Sequence, residues 1–134
     1  MAYTINENGD ISLIQGDSVT LVISGINTDK NYTVYFAVQD INRKPVGNEI
    51  SVSTNYQSSV IFQLTGDFTD LLAVNKNEPF ATYYYGIKVC DSTSQYENTL
   101  SLGNNNIGSL NTITVYPKKV EGIWLWLRQT NQKI

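Results

Sequence analysis

The chain contains no histidine. That absence excludes Ser-His-Asp and Cys-His catalysis, zinc sites built on imidazole, and the usual proton shuttle near neutral pH. A single cysteine, Cys90, excludes an internal disulfide and any multi-thiolate metal site. Its place in a strand-like stretch points to packing rather than reactivity. The glycines are isolated and none sits in a GxxxxGK phosphate loop, so neither nucleotide chemistry nor a cofactor is expected. Positive charge is sparse as well. Nine basic residues are scattered along a chain of net charge −3, with no stripe to track a phosphate backbone, so no nucleic-acid partner is expected. The longest apolar run, residues 123–127, falls far short of the roughly 20 residues that cross a bilayer. Residues 1–10 have neither the basic start nor the apolar core of a signal peptide. Neither membrane insertion nor a secretion signal is expected, and synthesis is placed in the cytoplasm.

What the chain does have is alternation. In FATYYYGIKVC, residues 80–90, Tyr83, Tyr85, Ile87 and Val89 share one face at period two, and Tyr84, Gly86 and Lys88 share the other. Flat and β-branched side chains suit a pleated surface, so pattern and propensity agree on a central strand with one core face. Residues 11–23 carry Ile11, Leu13, Val19, Leu21 and Ile23 on one parity across a turn or kink at Gln15, Gly16 and Asp17. This reads as two short strands or one bent strand serving two sheets. Strands follow at residues 32–39, 58–64, 96–102 and 111–116. Residues 40–48, with Pro45 and Gly47, read as a turn into a modest strand at 49–53.

The period changes once. Residues 65–74 offer Thr65 or Asp67 as a helix cap, with Phe68, Leu71, Leu72 and Val74 at helical spacing, so a short helical turn is expected near 67–74. About seven to eight short strands and no long helix predict an all-β fold, an immunoglobulin-like antiparallel β-sandwich. Periodicity leaves a closed barrel open. One domain is expected over residues 1–119. Residues 120–134 form a separate apolar tail, in which Ile123, Trp124, Leu125, Trp126 and Leu127 require cover. Their candidate role is partner binding, either back onto the same domain or onto another subunit, as in a homo-oligomer.

Two carboxylates suffice for glycoside hydrolysis, and Asp67 and Asp70 are the nearest pair. Capping and placement near a helix N-terminus explain them more simply. Asn6, Asn8 and Asp10 resemble the start of a calcium loop but lack its remaining ligands, and a plain turn is expected. Nine tyrosines are present, of which Tyr35, Tyr84 and Tyr116 take the parity opposite to the core set. If those three line one open face, they are candidate sugar-stacking residues. The Asn-rich loop at Asn104, Asn105 and Asn106 adds to that reading.

Several segments together resemble a family. ISLIQGDSVTLVIS, YTVYFAVQD, VIFQLTGDFTDLL, FATYYYGIKVCDS and ENTLSLG are similar to the N-terminal domain of the upper baseplate proteins of tailed bacteriophages. Gln15, Gly16 and Asp17 match its early turn, and Tyr84, Tyr85, Gly86 and Ile87 lie in its Tyr-rich strand. The resemblance implies a non-catalytic, immunoglobulin-like virion structural or adaptor protein. It would bind other virion proteins, localise to the virion, and carry no catalytic residues. Upper baseplate proteins continue into a long stem that is missing here, so a small tail accessory or capsid decoration protein is a near alternative. A carbohydrate-binding module is the second expectation.

Overall fold

The structure, a computed structural model, describes residues 3–91, 93–100 and 111–119. The expectations on residues 120–134, including the partner-binding set Ile123 to Leu127, and on the Asn104 to Asn106 loop lie outside these residues. Nine strands and one short helix occur among the described residues: β1 (Tyr3–Ile5), β2 (Ile11–Ile14), β3 (Val19–Ile23), β4 (Thr33–Gln39), β5 (Pro45–Ser53), β6 (Val60–Leu64), α1 (Gly66–Asp70), β7 (Ala81–Asp91), β8 (Tyr96–Thr99) and β9 (Asn111–Tyr116). They form two sheets. The larger runs β1-β2-β9-β7-β4-β5, with β8 sharing an edge of β7, and the smaller pairs β3 with β6.

The kink at Gln15 to Asp17 is where the chain crosses between sheets. β2 belongs to the large sheet and β3 to the small one, so the residues that share one parity reach a common core from opposite sides. Ile11, Leu13, Val34, Phe36, Tyr83, Tyr85, Ile87, Ile113 and Val115 line it from the large sheet; Val19, Leu21, Phe62 and Leu64 line it from the small one. Every pairing is antiparallel except β2 with β9, which run parallel. The early strand therefore joins the last one rather than a sequence neighbour, which local patterning has no means to signal.

Two expectations need correction. The strand expected at 49–53 begins at Pro45. β5 lies at an edge of the large sheet, where a proline at the first position removes no ladder bond, and the turn is confined to residues 40–44. Asp40 Oδ1 accepts from the Asn42 and Lys44 amides there, and Arg43 adopts φ 67. The register with β4 then shifts between Phe36 and Val38, forming a bulge around Gly47 at φ 70.

The helix spans Gly66–Asp70 rather than 67–74. Thr65 is the cap, and its Oγ1 accepts from the Phe68 amide at 3.2 Å. Beyond Asp70 the chain turns so that Leu72 is fully buried while Leu71 is 54% exposed. Cys90 lies half-buried on the outer parity of β7. Its Sγ stands 3.7 Å from Glu97 Oε1, and desolvation with the Glu97 carboxylate pushes the thiol pKa up.

A short strand, β1, was not expected. Its three residues carry no readable alternation, and pairing with β2 holds them. The link between them is a side-chain-closed turn in which Asn6 Oδ1 accepts from the Asn8 and Asp10 amides. This turn is tied to the sheet behind it. Tyr85 donates from its hydroxyl to Gly9 O, Asn111 Nδ2 donates to Asn8 O, and the Thr112 amide donates to Asp10 Oδ1.

Burial, followed by the Asp10 charge, pushes the Tyr85 phenol up to about 12 from its usual 10.0. A raised pKa in the folded state means the stabilisation is complete below pH 10 and is lost as pH climbs through 12. Equilibrium unfolding measured at both ends of that window is expected to show the loss. Tyr85→Phe should flatten part of it. Tyr32 acts in the same direction: its hydroxyl donates to Asp29 Oδ1 and its pKa is also pushed up to about 12, chiefly by that bond, while burial raises the Tyr83 phenol as well. A wild-type stability that stays level across the window would contradict this assignment.

Candidate functional site

The strand parity that fills the core leaves the alternate residues of β4, β7 and β9 on the outer face of the large sheet. Tyr35, Ala37 and Gln39 of β4 pair with Lys88, Gly86 and Tyr84 of β7, and Tyr84 pairs in turn with Thr112 of β9. Ala37 and Gly86 form a floor of small residues, and a Cβ added at Gly86 would meet nothing within 4 Å. Tyr35 and Tyr84 flank that floor. Four residues separate their levels along β7, which is about 13 Å at the rise of a strand. Together with Gln39, Lys88 and the β5 residue Glu49 they border a shallow hollow of about 280 Å³. A larger one of about 760 Å³ adjoins it and shares Tyr35, Glu49 and Lys88.

Tyr116 lies on the same face but lower, at the end of β9, 42% exposed. The three outward tyrosines therefore do share one face. They run diagonally across it, one each from β4, β7 and β9, with Tyr116 about 13 Å below Tyr84. Only Tyr35 and Tyr84 border a common hollow; Tyr116 stands beside Phe80, with ring centroids 6.1 Å apart.

The electrostatics of the hollow are mild. Lys88 Nζ is 3.7 Å from Glu97 Oε1, an exposed pair worth at most about 1 kcal/mol. The strongly shifted acid, Asp91, lines the adjoining, larger hollow. Asp91 is buried, and hydrogen bonds from Ser94 and Thr93, with the Lys30 ammonium at 3.3 Å, hold its carboxyl well below the usual range. Those bonds close the turn between β7 and β8.

The carboxylate pair considered for hydrolysis is engaged otherwise. Asp67 occupies the first turn of α1, and Asp70 Oδ1 lies 2.6 Å from Lys118 Nζ. Neither borders the hollow between Tyr35 and Tyr84. Among the described residues, no group of three or more Asp, Glu or Cys is placed to hold a metal ion.

Alternation alone places Tyr35, Tyr84, Gly86 and Lys88 outward. It does not find Ala37 as the partner of Gly86, or Glu49 as part of the rim. Both follow from the β4–β5 and β4–β7 registers, and the first of these is interrupted by the bulge.

No family model and no curated protein matches the chain. Among solved structures it is similar to a periplasmic chaperone, SfaE, at 8% sequence identity and a TM-score of 0.50, over 80% of this chain and 52% of the chaperone. The chain thus spans about half the length of that protein, and at so low an identity the likeness concerns the fold alone. With two packed sheets and strands of alternating burial, the described residues form an immunoglobulin-like β-sandwich.

Proposed function

We propose that this domain is a non-catalytic structural or adaptor component of a bacteriophage virion, associated with the tail or baseplate, that works through surface contacts with other virion proteins. The observation that carries the reading is the broad outer face of the large sheet, with Tyr35, Tyr84 and Tyr116 spread across three strands and shallow hollows between them. Amphipathic aromatic rings on a rigid sheet are favoured contact residues, because they contribute large area at little entropic cost. Among the segments that resemble upper baseplate domains, residues 32–40 and 80–92 include β4 and β7, which carry Tyr35 and Tyr84 on that face.

Quantitative mass spectrometry of purified virions tests this. Detection at a low copy number matching tail symmetry supports the tail reading, and a copy number near that of the major capsid protein supports capsid decoration instead. Absence from the particle removes the proposal.

A carbohydrate-binding module is the second reading, favoured by the placement of all three outward tyrosines on one face. Glycan-array binding that disappears in Tyr84→Ala, while the melting temperature holds, would bring it forward.

A further inference from the structure

The lower end of the same face carries an apolar feature of its own. Phe80, just ahead of β7, and Tyr116, at the end of β9, are 45% and 42% exposed. Ile14, Pro79 and Pro117 surround Tyr116 and bound a hollow of about 460 Å³, completed by Lys118 and Lys119. Its walls are mostly carbon, and leaving them in water forgoes roughly 25 cal/mol for each Å² that burial would remove.

Lys119 is the last described residue before the most apolar stretch of the chain, which includes Trp124 and Trp126. Five residues of extended chain span at most about 18 Å, so Trp124 can return to a hollow that Lys119 itself helps to line. Gly122 lies between them and permits a reversal. A tether this short holds the segment at an effective concentration in the millimolar range, above that of any free second copy in dilute solution.

We propose that the hollow ringed by Ile14, Pro79, Tyr116 and Pro117, with the Phe80 ring beside Tyr116, is the docking site of residues 123–127 of the same chain, with a tryptophan indole seated against the Tyr116 ring. Trp124 and Trp126 share strand parity, so an extended segment presents both to the face, while Ile123, Leu125 and Leu127 turn the other way. Docked there, the segment covers the lower of the three outward tyrosines and leaves Tyr35 and Tyr84 open. The inference goes beyond the adaptor reading and holds whether or not the protein is part of a virion.

The chain has only two tryptophans, both in this segment, so tryptophan emission reports on the segment alone. The full chain is expected to emit at blue-shifted wavelengths that do not change on dilution. The double variant Phe80→Ser with Tyr116→Ser should shift emission to that of solvated indole and raise its access to iodide. Far-UV circular dichroism should report an intact sandwich, since both side chains are half exposed. Tyr84→Ser is the control and should leave emission unchanged. Solvated emission from the full chain overturns the proposal, as does a blue shift that survives the double variant. A blue shift lost on dilution also overturns it, by assigning the occupant to a second copy.

Discussion

Phe36→Ala is expected to reduce the folding free energy by about 3–5 kcal/mol, the usual range for deleting a buried phenylalanine. Phe36 is fully buried in β4, with its ring centroid 5.7 Å from that of Phe62 and 5.4 Å from that of Tyr85. Phe62 is on β6 of the small sheet and Tyr85 on β7 of the large one, so this ring joins the two layers. Removing it leaves a cavity that neither sheet can fill without breaking its own hydrogen-bond ladder. Set against a typical total of roughly 5–15 kcal/mol, the loss takes a large share of the stability. Denaturant unfolding should show a lower midpoint with an unchanged slope. A loss below about 1 kcal/mol would mean that the layers do not share a close-packed core.

The second large effect is expected at Thr69, the buried residue of α1. Its hydroxyl donates to Asp17 O at 2.8 Å and accepts from the Gly16 amide at 3.1 Å, binding the helix to the inter-sheet turn. Thr69→Val keeps the shape and deletes both bonds at a part-buried joint, leaving the Gly16 amide and the Asp17 carbonyl without this partner. Each such group costs about 1–3 kcal/mol. Gly66→Ala attacks the same joint by crowding: a Cβ there would come within 2.6 Å of Gly16 O, and a backbone atom cannot swing aside. Its expected cost is about 1–3 kcal/mol. Amide hydrogen exchange at Gly16 should accelerate in Thr69→Val ahead of exchange in β7, because the joint opens before the core does. Equal exchange at Gly16 in the variant and the parent would remove the hydroxyl from this role.

These two sites also show what could be read from the residues alone. Phe36 announces itself through the alternation of Tyr32, Val34, Phe36 and Val38, since a period of two needs no knowledge of the partner strand. Thr69 does not. It lies between Phe68 and the Asp70–Leu71 pair as an unremarkable polar residue, and its importance comes from a turn more than fifty positions earlier. The same distinction runs through the candidate site. The outward parity of Tyr35, Tyr84 and Tyr116 is local and legible. The Ala37–Gly86 floor depends on register, and the length of β5 depends on its place at an edge. Pro45 and Gly47 end a strand in the interior of a sheet but are compatible with one at its margin.

The pairing of β2 with β9 has a mechanical consequence. Tyr3 pairs with Leu13, and Leu13 with Val115, so the first described residue and Lys119 lie toward the same end of the large sheet. Tension applied between them would meet two geometries in succession. The antiparallel β1–β2 ladder is loaded one bond at a time and peels like a zip at low force. Once β1 has come away, β2 is pulled lengthwise against its parallel neighbour β9, and the whole set of bonds between Ile11–Ile14 and β9 shares the load in shear. The domain should thus yield a short length of chain readily and then resist, as a clamp with a little slack does under sudden strain.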